Sequence, residues 1–342
     1  MTTTLAAPED GTVEIGVRTF DGRPVGSIPC DETTRVLWSR ERCEVSRCEI
    51  ETQDIGAGEL VPWLHWIDVW EDGDKVWSGP VQEAGTQLAT GATTIDVRDV
   101  AVLQWYTRTP TTRSWQRRDL APIAADLWRS MLELHRIDVE PVVLRAVSKE
   151  RFDFSTTADA KMLHQVTDQL VQLGLVWTVV AGRPVLGTPA EDVPTAELDE
   201  CDIMSGLRRV RSGKRTASDV RVQGQNWAHT EVVDMAGLRL QALRSMDNVR
   251  GASNVTAAAR QYLREVGSLR DVLEIPAGAS LHPDAAITTA DLVPSTVYTV
   301  HAADLSVLMR LKSVEVEWSG GARDVRVTLD AVTRPVELEG ES

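Results

Sequence analysis

Six histidines (65, 135, 164, 229, 282 and 301) and four cysteines (30, 43, 48 and 201) are the residues best suited to metal or nucleophilic chemistry in this chain. Their spacing does not organise them. There is no His-Glu-x-x-His and no His-x-His, so the two-histidine zinc site of a hydrolase has no support. Cys30, Cys43, Cys48 and His65 can be written as a metal quartet, but their gaps lack the tight knuckle of a structural zinc site. Cys43 and Cys48 could form a disulfide, yet their odd separation puts them on opposite faces of a shared strand. Cys201 would need His229 and an orienting carboxylate beside it to act as a nucleophile, and neither residue has flanks that suggest this. Phosphate-cradling glycine loops and Gly-x-Ser-x-Gly are absent. We assign no catalytic, cofactor-binding or metal-ligating residue, and expect no cofactor.

Tryptophan offers a different chemistry. Trp63, Trp66, Trp70 and Trp77, with Asp68, Glu71 and Asp72, could make a sugar-stacking platform with paired carboxylates, as in glycosidases. On a strand, Trp66, Asp68 and Trp70 share one face and Ile67 and Val69 the other. A strand that is apolar on both sides is more often buried or at a subunit interface. Trp66, Trp70 and Trp77 are therefore interface candidates. Arg208, Arg209, Arg211, Lys214 and Arg215 form the one dense basic run. It reads either as a solvated strand–turn–strand around Gly213 or as a patch that docks on an acidic neighbour, such as another copy.

The elements that must position these residues are mostly strands. Over 12–104, Val13, Ile15 and Val17 alternate with polar residues. Trp66–Trp70 leads into a Glu71-Asp72-Gly73-Asp74 turn, and Lys75-Val76-Trp77 returns and stops at Gly79-Pro80. Such short strands suggest a small barrel or sandwich. Over 105–190, Asp119 can cap a helix carrying Leu120, Ile123, Leu127, Trp128 and Met131 on one face. A second helix is expected from near Thr156, with Asp159 in a capping-box variant, ending at Gly174. A hairpin follows around Ala181-Gly182-Arg183-Pro184, and Thr188–Asp199 reads as a linker. A third helix, capped by Ser253 or Asn254, stops at Gly267. The clearest pattern is the last hairpin, with Val314, Val316 and Trp318 returning through Gly320-Gly321 to Val325, Val327 and Leu329.

This gives an α+β chain, mainly β: two similar small β-barrel or sandwich domains separated by an α+β domain. We divide it into an N-terminal barrel at 1–104, an α+β domain at 105–190, and a linker with the first strands of a second β unit at 191–225. A helix-containing insertion at 226–292 and closing strands at 293–342 complete it.

Composition narrows function. With 342 residues, 42% hydrophobic and 25% charged, the chain is long enough for more than one core. A net charge of -15 argues against wrapping nucleic acid. No stretch suits a transmembrane helix, and MTTTLAAPEDG lacks the basic start and apolar run of a signal peptide. We therefore expect synthesis in a cytoplasm with no export signal.

The ordered features resemble the minor tail proteins that form the baseplate hub of long-tailed phages, relatives of the central hub protein of contractile tails. The features run from Thr19–Gly26 through Leu37-Trp38-Ser39-Arg40 to the hairpin Val69–Val81. They continue with the helix over 119–136, Ala217–Gly224, the helix Ala257–Glu265 and the hairpin 311–332. The hairpin VWEDGDKVWSGPV is the best local match. The resemblance implies a non-enzymatic homotrimer in the virion tail tip, with barrels building a pseudo-sixfold ring. Its implied partners are the distal tail protein ring, the tape-measure protein's C-terminus, and fibres or other minor tail proteins. DNA would cross the lumen without specific binding. The alternatives are a carbohydrate-binding tail protein and the hub of a phage-like secretion system. Relatives often extend into a lysin or fibre; this chain stops at Ser342, so a wall-cutting activity is expected on another polypeptide.

Overall fold

The computed structural model describes residues 12–53, 60–144, 151–187, 194–214, 216–246, 249–267, 270–303 and 305–332. The expectations for the first eleven residues and for the chain end lie outside these.

The two β-rich stretches pair with each other. Strand Arg35–Glu41 is buried along nearly its whole length. It runs antiparallel to the second half of Leu305–Ser319, with Ser313 opposite Glu41 and Ser319 opposite Arg35. This pairing joins both stretches into one 12-stranded sheet. Its order is Ala196–Asp199, Val297–Ala302, Leu305–Ser319, Arg35–Glu41, Arg47–Thr52, Thr93–Arg98, Asp74–Thr86, His65–Glu71, Val13–Thr19 and Pro24–Ile28. Ala322–Ala331 covers the other side of Leu305–Ser319 and pairs in turn with Ala279–Ser280. The inward residues of both stretches, among them Ile15, Trp38, Ile67, Tyr298, Val316 and Trp318, form one apolar core.

Turn chemistry sets the hairpins. Asp72 and Gly73 both have positive φ (52° and 86°), as do Gly320 and Gly321 (58° and 78°). These are the two-residue turns whose twist matches antiparallel strands. The strand after Asp72-Gly73 does not stop at Gly79-Pro80 as expected but runs on to Thr86. The reason is packing: a Cβ at Gly79 would lie 1.9 Å from the Arg98 carbonyl oxygen, so glycine lets the strand continue against its neighbour.

The middle of the chain holds α1 (Leu120–Leu134) and α2 (Leu163–Gln172). The Asp119 carboxylate caps α1 by accepting from the Ala121 N–H at 3.2 Å. α2 begins later than the sequence suggested. Thr156 ends strand Phe152–Thr156, and Asp159 sits in a left-handed turn (φ 59°). Met162 is the N-cap, with its N–H donating to Gln165 Oε1 at 3.1 Å. The expected linker also holds a strand, Ala196–Asp199, which pairs parallel with Val297–Ala302. α3 (Ala252–Val266) is capped by Gly251 rather than Ser253 or Asn254. The Asn254 amide is spent on the carbonyls of Asp153 and Arg250.

α3 lies against a three-stranded sheet in which Asp219–Gln223 sits between Ala228–Val232 and Gln241–Ser245. Val220, Val222, Val255 and Ala259 join Leu127, Trp128, Met131 and Leu170 in a second apolar core. The mainly β, α+β reading holds, and the sheet and helix between Asp219 and Val266 share their core with the middle of the chain. No helix among the described residues is long and apolar enough to cross a membrane.

Candidate functional site

The most heavily built polar centre sits where the two β stretches meet. The Glu71 carboxylate, on a residue 5% exposed, accepts hydrogen bonds from Trp38 Nε1 at 3.1 Å, Trp318 Nε1 at 3.0 Å and the Thr289 hydroxyl at 2.8 Å. Arg323 approaches it at 3.5 Å. Beside it, Arg40 is 2% exposed and stacks on Trp38. Its guanidinium donates to the carbonyls of Thr289 at 2.7 Å, Leu292 at 3.2 Å and Val76 at 2.9 Å. Burial lowers the Arg40 pKa to about 10, and the nearby Glu71 charge opposes that fall. The group stays charged at neutral pH. A buried charge is tolerated when most of its hydrogen-bonding capacity is filled; here both terminal nitrogens donate and Nε alone is left without a partner.

The tryptophan candidates divide. Trp77 is 2% exposed, and its indole donates to the Ser39 carbonyl at 3.1 Å. Trp66 is 3% exposed and packs into the second core, under the Arg18 guanidinium. These two are interior residues of the subunit. Trp70 is half-buried and carries Lys75 above its ring. Asp68 is held by Arg18 and Ser78. A sugar platform built on Trp66 and Trp70 is therefore not formed, because Trp66 has core on its exposed-looking side.

The basic run is split as well. Arg208 and Arg209 are exposed on strand Arg208–Ser212, which pairs antiparallel with Arg270–Glu274. The register sets Arg208 opposite Glu274 and Arg211 opposite Asp271. Lys214 is exposed just beyond the strand, and Arg215 lies outside the described residues.

No three His, Cys, Asp or Glu side chains come together as a metal site among the described residues. All four cysteines are free thiols. Burial pushes the Cys30 thiol up to about 11 and raises Cys43 and Cys48 as well, which disfavours thiolate chemistry.

Neither a protein-family model nor a curated protein matches the chain. Solved structures do. The 43 kDa tail protein of prophage MuSo2 from Shewanella oneidensis superposes with a TM-score of 0.63 at 13% identity, over 93% of this chain and 98% of that one. The tail protein from Neisseria meningitidis MC58 gives 0.62 at 14% identity, over 93% and 96%. This is the fold of phage tail proteins. A type VI secretion component from E. coli, described as similar to tail proteins of bacteriophage T4, gives 0.51 at 10% identity, over 89% and 74%.

Within this tail-protein fold, sequence reasoning missed the Arg40–Glu71 centre. Glu71 sits where the sequence predicts a turn, and Arg40, two residues after Trp38, takes an inward position usually filled by an apolar side chain. The available signal was the tryptophan next door: a buried indole needs an acceptor, and few acidic residues sit within a buried β stretch.

Proposed function

We propose that the chain is a non-enzymatic structural component of a phage tail tip, a baseplate hub subunit of the virion. The observation that carries this reading is the full-length match to two tail proteins, nearly end to end on both sides. In this reading three copies form a ring that joins the tail tube and distal tail ring to fibres or other minor tail proteins. The end of the tape-measure protein reaches its lumen, and DNA passes through during ejection. The domain division at 104, 190, 225 and 292 belongs to this reading, as does a role for Trp70 and the run from Arg208 to Arg215 at contacts between chains. The net charge of -15 suits a duct lined with acids, past which phosphates slide without sticking.

The test is mass photometry of the purified chain alone and with its neighbouring ring protein, alongside cryo-electron microscopy of the particle. A threefold ring at the tail tip is expected. Monomer both in solution and in the virion overturns the ring, and a pore lined by Arg and Lys overturns the acidic duct. A second reading, the hub of a phage-like secretion system, draws on the type VI component. Gene neighbours separate the two: tape-measure and capsid genes in one case, a secretion ATPase in the other.

A further inference from the structure

A pocket of about 280 Å³ opens where the large sheet meets the middle of the chain. It is walled by the Cys43–Val45 bend, the end of the short 3-10 helix Val100–Trp105, the first turns of α2, and Trp177. Trp177 is 5% exposed, and its indole N–H has no hydrogen-bond partner. His164 Nδ1, on the same wall, is buried and equally unpartnered. A buried polar atom left without a partner costs about 1–3 kcal/mol, so an indole N–H and an imidazole nitrogen orphaned in one pocket call for polar groups from outside.

Two carboxylates stand on the rim, with Arg42 next in the chain to the Cys43 wall. Glu44 and Asp168 are both exposed, and neither carboxylate has a hydrogen-bond or ion-pair partner among the described residues. Elsewhere the carboxylates of this chain are commonly matched to arginine, as Glu315 and Glu317 are with Arg326.

Beside the rim lies an exposed apolar patch. Trp105, a pocket wall, is 49% exposed, Tyr106 61%, Leu64 51% and Val61 41%. Trp63 meets Tyr106 edge-on, with ring centroids 4.7 Å apart. Trp63 and Cys43 both hold left-handed backbone (φ 67° and 59°), a conformation bulky residues keep only when their surroundings impose it.

We propose that this pocket and patch are a docking site for an extended segment of another polypeptide that carries a basic side chain beside an apolar one. A backbone carbonyl of the segment accepts from Trp177 Nε1, and a backbone amide or carbonyl pairs with His164 Nδ1. Its arginine or lysine lies between Glu44 and Asp168, and its apolar residue rests on Trp105, Tyr106 and Leu64. The aliphatic share of the patch and the unmatched acids favour a polypeptide over a sugar: interface anchors are tryptophan and tyrosine set among aliphatic groups. The proposal stands on these residues alone and survives failure of the ring reading.

The test follows the tryptophan indole N–H signals by NMR while acetyl-Leu-Arg-amide is titrated into the millimolar range. W105F and W177F assign the two signals. Acetyl-Leu-Gln-amide and chitotriose are the comparison probes. The arginine dipeptide is expected to shift both indoles, and the E44Q/D168N pair, both on the surface, is expected to weaken this about fivefold, as two exposed ion pairs would. Three results overturn the proposal. Both indoles stay put with the arginine dipeptide; the glutamine dipeptide binds as tightly; or chitotriose alone moves the signals. An unchanged affinity in E44Q/D168N, with its melting curve preserved, overturns the place assigned to the basic side chain.

Discussion

The junction of the two β stretches and the outer face of the three-stranded sheet under α3 are built on opposite terms. At the junction, charge is buried and its partners come from within the chain. Glu71 gathers two indoles, a hydroxyl and an arginine, and Arg40 gathers three carbonyls. On the three-stranded sheet, Val220 and Val222 face α3, while Val232 is 54% exposed and Leu243 64%, with Trp227 at 56% close by. The chain thus closes one region upon itself and leaves the other open.

Removing Glu71 breaks the closed region hardest. Glu71→Ala strands the Trp38 and Trp318 N–H groups and leaves Arg40 without its nearby countercharge. A loss of about 3–5 kcal/mol in urea unfolding is expected. Glu71→Gln, which keeps an acceptor, should lose clearly less. A loss below about 1 kcal/mol for the alanine variant would erase the contrast between the two regions.

Gly79→Ala comes next. Its Cβ would meet the Arg98 carbonyl and the Asp99 Cα at 1.9 and 2.9 Å, so the backbone must move at a cost of about 1–3 kcal/mol. Gly26→Ala, where the Cβ meets nothing within 4 Å, serves as the control and should unfold at the wild-type midpoint.

Asp99 sharpens the comparison through pH. It is 1% exposed, accepts from the Ser46 and Ala101 N–H groups at 2.9 and 2.8 Å, and starts the short 3-10 helix. Burial pushes its pKa up to about 7, and burial does the same to Glu41. Between about pH 4 and 7 the folded state therefore holds protons that the unfolded state has released, so these groups make stability fall as pH rises through that window. Asp99→Asn is expected to narrow the difference in unfolding free energy between pH 5 and pH 8 by on the order of 2 kcal/mol. An unchanged pH slope would mean the carboxylate stays ionised in the folded chain. The smallest effect belongs to the open region: Leu243→Ser should leave the unfolding midpoint within about 0.5 kcal/mol of wild type.

Local chemistry was the legible part of this fold. The Asp72-Gly73 and Gly320-Gly321 turns, the Asp119 cap and the end of α2 at Gly174 could all be read from neighbouring residues. What escaped depends on distant partners. Ala196–Asp199 reads as linker because its strand identity comes from pairing with Val297–Ala302, about a hundred residues on. Thr156 looks like a cap because the strand holding it is fixed by Arg113–Arg118 rather than by its own sequence. Trp66 reads from the sequence as core or interface, and within this chain it packs into the second core. The pocket is not legible in the sequence, because nothing in the spacing of residues 43, 105, 164 and 177 brings them together.

The strand Leu305–Ser319 has a mechanical consequence. Its first half is laced to Val297–Ala302 and its second half to Arg35–Glu41 along one edge, with Ala322–Ala331 along the other. A pull along this strand loads a whole row of antiparallel hydrogen bonds in shear. They must fail together rather than unzip in turn, so the strand acts as a tie-beam through the subunit.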